Sequence, residues 1–195
     1  MTAVLPDIDV HRDRAGWAPT GVPASISSAG TLGPALVERA AAYPDEPAFY
    51  VYDGTGDWTE LSVAALRDRA AGAAAAFAAC GVRRGDPVGI SLDTSPELLA
   101  ALFGAALLGA VPFIVEPPLA EGRARVWAQR VRATVQLARP RLLVVNAAVR
   151  PYCELLDQDV PLLEPPFPTG GVVPPAPPAD PEAPGSPGRA PGSPI

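Results

Sequence analysis

Apolar residues recur every three or four positions over several stretches of the chain, and short unbroken apolar runs separate those stretches. From Leu32 to Ala42 the residues Leu32, Leu36, Ala40 and Tyr43 share one helical face, and Pro44 marks the exit. Ala48 to Tyr52 reads as a strand. Asp53-Gly-Thr-Gly56 reads as a tight turn into Asp57-Trp58-Thr59, so the two flanks form a hairpin. The clearest helix follows, with Ser62 as N-cap and Val63, Leu66, Ala70, Ala73 and Phe77 three or four apart, while Arg67, Asp68 and Arg69 fall on the other side. Gly81 is placed to end it in a left-handed conformation, and Arg83-Arg84-Gly85-Asp86-Pro87 forms a turn into a strand from Val88 to Leu92.

Thr94-Ser95-Pro96-Glu97 starts the next helix, with Pro in the tolerated first turn and Glu at the positive helix end. The run Leu98 to Val115 (LLAALFGAALLGAVPFIV) is uncharged and near the lower length limit for a membrane span. Pro112 interrupts it, Gly104 and Gly109 weaken it, and Glu97 and Glu116 flank it without Lys or Arg anchors, so a buried helix followed by a strand at Val111 to Val115 is expected instead. Glu116-Pro117-Pro118 is a stiff break before a helix from Gly122 to Ala138. Arg141 to Asn146 (RLLVVN) lacks the alternation of a half-exposed strand, so both its faces should be covered. A last helix, Ala147 to Leu156, and a short strand, Val160 to Leu163, complete the series. Helices alternating with short apolar strands predict an α/β fold, a layered and mostly parallel sheet flanked by helices.

The ends differ from this middle. Residues 1–30 carry recurrent Pro, Gly and Ser without periodicity and read as an irregular leader. From Pro165 the composition shifts to Pro, Gly, Ala and Ser, ending GSPGRAPGSPI, with almost no large apolar side chains after Val173 to offset an ordering entropy of about 1–2 kcal/mol per residue. Residues 165–195 are therefore expected to be a disordered tail of polyproline character, with a Pro-rich ligand for a partner domain as its functional alternative. The folded domain is expected over 31–164.

Composition narrows the chemistry. The 195 residues are 48% hydrophobic, enough for one ordinary domain and core. A formal charge of −6 argues against nucleic acid as partner. All 15 basic residues are Arg, so a Schiff base, a Lys-terminated phosphate loop and a Ser–Lys dyad are excluded within this chain. Cys80 and Cys153 have no metal-ligand spacing, and Cys80 closes an apolar helix as a small hydrophobe would. With His11 the only histidine, a multi-His zinc site or a Ser-His-Asp triad is not expected. The start, MTAVLPDIDVHRDRAGW, holds no apolar run long enough for a signal peptide, so the expected location is cytoplasmic, with no membrane span.

One stretch is more specific than a generic α/β pattern. SVAALRDRAAGAAAAFAACGVRRGDPVGISLDTSPELLAALFGAALLGAVPF, from Ser62 to Phe113, resembles the amino-terminal region of the acyl-adenylate-forming superfamily of AMP-dependent synthetases and ligases. Leu66, Gly81, Val82, Gly85, Asp86, Val88, Ser95, Glu97, Gly109, Ala110 and Val111 occupy the matching places, and Ala41 to Ala48 resembles the preceding helix and strand of that family. Ser62-Val63 stands where Thr-Tyr is usual, Ala65 where Glu is usual and Thr94 where Asn is common. The Pro117-Pro118 pair after PFIVE is more like the fatty acyl-AMP ligase branch than the acyl-CoA synthetases.

The resemblance, over residues 31–163, implies an incomplete N-terminal subdomain of the adenylate-forming fold. It implies carboxylate activation with ATP and Mg²⁺, followed by transfer to CoA or to a carrier-protein thiol. It also implies a Ser/Thr/Gly-rich loop ending in Lys-Gly a little after residue 163, where Gly185-Ser186-Pro187-Gly188 stands in a Pro-rich tail. No catalytic, cofactor-binding or metal-ligating residue transfers to this chain, so none is assigned. A truncated ligase, inactive alone and binding no cofactor by itself, is the leading expectation; a non-catalytic interaction domain and one half of a split ligase are the alternatives.

Three further features have two readings each. Arg123, Arg125, Arg130 and Arg132, continued by Arg139 and Arg141, form either a contact for an acidic acyl carrier protein or a solvated face whose stems cover apolar surface. Gly54-Thr-Gly56 is too short for a nucleotide fingerprint and fits a hairpin turn. Asp157 and Asp159 lack a third ligand for a metal and fit a solvated turn.

Overall fold

The architecture is that of a computed structural model, which describes residues 30–52, 58–118, 124–156 and 159–168. Helix α1 (Leu32–Ala42) leads into strands β1 (Pro47–Tyr52) and β2 (Trp58–Ser62), which pair antiparallel in a two-stranded sheet. The turn that joins them lies outside the described residues. There follow α2 (Val63–Ala79), β3 (Pro87–Ser91), α3 (Pro96–Leu108), β4 (Val111–Ile114), α4 (Ala124–Ala138), β5 (Leu142–Val145), a four-residue helix α5 (Arg150–Cys153) continued by a 3₁₀ turn (Glu154–Leu156), and β6 (Leu162–Leu163). The second sheet is parallel throughout, in the order β4-β3-β5-β6.

Both faces of this sheet are covered, as the unbroken LLVV run requires. On one face Val88, Ile90, Leu142 and Val144 meet Ala73 and Phe77 of α2 and Ala100, Ala101 and Ala105 of α3. On the other, Leu143 and Val145 meet Trp127, Ala128, Val131 and Val135 of α4 and Cys153 of α5. All four residues of β5 are fully buried. A third cluster joins Leu36 and Ala40 of α1 to Leu61, Leu66, Ala70 and Leu107, and seats the hairpin against the helices.

Small residues set how closely the layers approach. A Cβ on Gly104 of α3 would lie 2.7 Å from the Ala73 Cβ and 2.9 Å from the Ala70 carbonyl oxygen, so α2 and α3 touch backbone to backbone there. Gly89 leaves the space over β3 that Leu143 and Phe113 close; a Cβ there would lie 2.7 Å from Leu143 Cδ1. The Ala-rich stretch of α2 is thus the sequence form of a tight helix contact.

The caps follow the sequence closely. Ser62 Oγ accepts the Ala65 N–H at 3.2 Å, and Ser95 Oγ accepts the Leu98 N–H at 3.2 Å. Both α2 and α3 end in the same two-bond motif. Gly81, at φ 81°, and Gly109, at φ 68°, donate to Ala78 and Ala106, while the next residues, Val82 and Ala110, donate to Phe77 and Ala105. The run from Leu98 to Val115 is accordingly a helix, a left-handed glycine and a strand, and among the described residues no helix is long and apolar enough to cross a membrane.

Two expectations need correction. The helix expected over Ala147 to Leu156 is reduced to Arg150–Cys153 plus the 3₁₀ turn. Asn146 starts the turn instead, because its Oδ1 accepts the Val149 N–H at 2.8 Å and its carbonyl accepts the Arg150 N–H at 3.0 Å; Pro151 then fits only a first helical turn. The boundary expected at 164/165 also moves. Phe167 packs edge-on to Phe77, with ring centroids 5.7 Å apart, and joins the first core cluster, so Pro165 to Pro168 belong to the folded body. One aromatic ring anchors a segment whose prolines cost little further backbone entropy. The leader and residues 169–195 lie outside the described residues.

Replacing Phe167 by Ala is expected to lower the unfolding free energy by about 1–3 kcal/mol, less than a fully buried Phe because the ring is only half-buried. Urea denaturation monitored by tryptophan fluorescence measures it, and a loss under about 0.5 kcal/mol, the scatter of ordinary surface substitutions, would show that the segment is not docked.

Candidate functional site

In an open parallel sheet a crevice forms where adjacent strands send their following helices to opposite faces. That condition is met between β3 and β5. From β3 the chain passes to α3 on one face, and from β5 it passes to α5 on the other. The residues just beyond the carboxyl ends of these two strands are Leu92-Asp93-Thr94-Ser95 and Asn146, and they converge: Asn146 Nδ2 donates to Asp93 Oδ2 at 3.0 Å. Ser91, the last residue of β3, pairs in register with Val145, is fully buried, and has no hydrogen-bond partner for Oγ among the described residues.

Three ion pairs stand around this edge, and Arg125 at the start of α4 has no partner among the described residues. Arg69 lies 3.4 Å from Glu97, Arg130 lies 3.4 Å from Glu116, and Arg150 donates to Glu164 at 2.6 Å. Trp127 Nε1 donates to the Glu116 carbonyl at 2.6 Å and fixes the start of α4 beneath the loop after β4. A small groove beside the edge is lined by Arg69, Glu97, Ala100, Pro166, Phe167 and Pro168, so the docked Pro-rich segment forms one wall.

The donor set does not fit a nucleotide triphosphate and its metal. The Ser95 hydroxyl caps α3, and Glu97 places a carboxylate in the first turn, which opposes a phosphate at that helix end. The Arg69 and Arg150 guanidinium groups are paired, the chain has no Lys, and no group of three or more His, Cys, Asp or Glu could hold a metal among the described residues. Cys153 is held back as a nucleophile. Burial pushes the Cys153 thiol up to about 11, only partly opposed by the nearby Arg150 charge, so it stays protonated at neutral pH.

The arginines do not form one stripe. Arg130 pairs with Glu116, and Arg132 Nη2 donates to the Leu155 carbonyl at 2.8 Å, tying α4 to the 3₁₀ turn. Arg139 and Arg141 lie at the opposite edge of the sheet, beyond the end of α4. Arg123, Gly54 to Gly56, Asp157, His11 and Gly185 to Gly188 lie outside the described residues. Sequence reasoning passed over the Asp93–Asn146 pair, since the two are far apart in the chain and each alone reads as a turn former; only the order β3-β5 joins them.

The fold and its crevice define a doubly wound α/β domain of the kind that begins adenylate-forming enzymes. The family profile described as "AMP-binding enzyme" matches residues 36–186, and the chain belongs to that family. Crotonobetaine/carnitine–CoA ligase of Salmonella arizonae is 28% identical over 122 residues, 63% of this chain and 22% of that protein. Phenyloxazoline synthase MbtB of Mycobacterium tuberculosis is 34% identical over 107 residues, 55% of this chain and 7% of the synthase. The chain thus spans less than a quarter of the length of these curated relatives.

Solved structures share the fold. Brucella canis acyl-CoA synthetase aligns at TM-score 0.57 with 23% identity, over 70% of this chain and 25% of that one. Legionella pneumophila fatty acid AMP ligase aligns at 0.56 with 21% identity, over 65% and 21%. The O-succinylbenzoate CoA synthetase of Bacillus subtilis, solved in complex with AMP, aligns at 0.55 with 19% identity, over 66% and 30%.

The Cys153 thiol supplies a pH test. Its folded pKa is raised above the ordinary value of 9.0, so the stability it lends is complete below pH 9 and is lost as pH rises through about 11. Thiol titration of the native chain is expected to label half-buried Cys80 first and Cys153 only on unfolding. Equal labelling rates for both at neutral pH would contradict the buried, protonated assignment.

Proposed function

We propose that this chain supplies the amino-terminal scaffold of a ligase that activates a carboxylate with ATP, and that by itself it does not form an acyl-adenylate. The observation that carries this reading is the family match over residues 36–186 in a chain without Lys. The family chemistry must stabilise phosphate charge, and at the β3/β5 crevice Arg69 and Arg150 are already paired with carboxylates. In this reading the phosphate loop, the ligands of Mg²⁺ and the acyl pocket come from outside the described residues. The names of the relatives support an acyl substrate, and one of them supports CoA as acceptor.

The free edge of the sheet supports incorporation into something larger. Val111 and Ile114 of β4 are 54% and 56% exposed, and β4 pairs only with β3 among the described residues. An apolar strand edge of this kind calls for a covering element. The same observation favours a second reading, in which that element comes from another chain and the two form a split ligase.

ATP–pyrophosphate exchange with a set of fatty acids tests both. The purified chain is expected to give no exchange above a heat-denatured control. Exchange by the chain alone would overturn the scaffold reading, and exchange that appears only with the product of a neighbouring reading frame would establish the split enzyme.

A further inference from the structure

The loops that feed the sheet from below carry a charge pattern that the ligase reading does not use. Arg83 and Arg84 lie in the α2–β3 turn, and Arg139 and Arg141 in the α4–β5 turn. The strands that these turns enter are neighbours, and the Arg141 N–H donates to the Pro87 carbonyl at 2.8 Å. The Gly85 N–H donates to the Gly109 carbonyl at 2.9 Å, and the Val111 N–H to the Asp86 carbonyl at 2.9 Å, so the turns before β3, β4 and β5 form one stitched surface.

All four arginines are exposed, and none makes an ion pair among the described residues. Arg39, Arg67, Arg69, Arg130 and Arg150 each pair with a carboxylate, and Arg132 donates to a carbonyl. The acid within the α2–β3 turn, Asp86, spends one oxygen on its own turn, where Oδ2 accepts the Arg83 N–H at 2.8 Å. Of the five guanidinium groups without a partner among the described residues, four therefore stand at one edge of a chain whose formal charge is −6, and the fifth, Arg125, stands alone at the start of α4.

Two glycines hold this edge in shape. A Cβ at Gly81 would lie 3.1 Å from Arg141 Nη2, and one at Gly109 would lie 3.2 Å from Arg84 Cγ. The helix-ending glycines thus also serve as platforms on which the two arginine side chains rest, which lowers the entropy lost when they bind. Arg139 adopts a left-handed φ of 48°, where glycine or asparagine is easier, and lines an open depression of about 540 Å³ with Val135, Gln136, Pro140, Asp159 and Val160.

We propose that Arg83, Arg84, Arg139 and Arg141 form a docking surface for an acidic protein segment. Guanidinium forks match carboxylates in geometry as well as charge. Exposed Val111 beside the Asp86 turn adds an apolar contact of the kind a protein surface provides. No aromatic side chain in these loops offers a base-stacking platform, and none offers an interfacial anchor for lipid. The proposal does not depend on the ATP chemistry.

Fluorescence anisotropy of the full chain with a labelled peptide rich in Glu and Leu tests it. Binding is expected to saturate, to weaken as salt rises, and to fall about tenfold or more in the Arg84→Glu/Arg141→Glu variant. An Arg125→Glu variant, altered on α4, is expected to bind within about twofold of the parent, since exposed charges beyond a Debye length are largely screened. Matched thermal unfolding curves verify that both variants are folded. No saturable binding, equal loss in the Arg125→Glu variant, or tighter binding of a single-stranded oligonucleotide of the same charge would overturn the proposal.

Discussion

Strands β3 and β5 lie side by side with helices on both faces, and every other part of the molecule is arranged around that double burial. A strand with two covered faces cannot alternate apolar and polar residues, so β5 is LLVV and β3 is PVGIS, with Gly89 leaving the room that Leu143 and Phe113 fill. Burying Val88, Ile90, Leu142, Leu143, Val144 and Val145 completely contributes about 1.5–3 kcal/mol each before entropy is counted. That requirement draws α2 and α3 onto one face and α4 onto the other. It also drives the backbone contact of α2 with α3 at Gly104, because two helices over a narrow parallel sheet must sit close to close the core.

The same arrangement separates the two ends of the sheet chemically. At the carboxyl ends, Asp93 and Asn146 meet, Arg69 and Arg150 are paired with acids, and the buried Ser91 hydroxyl has no partner among the described residues. At the amino ends, Arg84 and Arg141 rest against Gly109 and Gly81 and make no ion pair among the described residues. Five of the residues that carry the family resemblance, Gly81, Gly85, Asp86, Gly109 and Val111, cluster at that second end and build turns and caps, while Ser95 and Glu97 open α3 at the first.

Much of this was legible in the sequence because the signals were local. The Ser62 and Ser95 caps, the Gly81 and Gly109 stops, and the period of α1 to α4 each depend on residues within a turn or two. The parallel, doubly covered sheet followed from the lack of alternation in RLLVVN. What escaped was non-local. Asn146 shortened the last helix by bonding its own turn, Phe167 found Phe77 across the fold, and Arg130, Arg132, Arg139 and Arg141 separated because the helix that carries the first two ends before the others. The Asp93–Asn146 contact depends on β5 inserting beside β3 after β4 has been placed on its other side, an order that no local pattern encodes.

Native-state hydrogen exchange tests the central place of the β3/β5 pair most directly. The amides of Gly89 to Ser91 and Leu143 to Val145 are expected to exchange most slowly of all, opening only with global unfolding, while those of β1 and β2 exchange sooner through local opening. Slowest exchange in the α1–hairpin unit, with β3 and β5 opening first, would contradict this account.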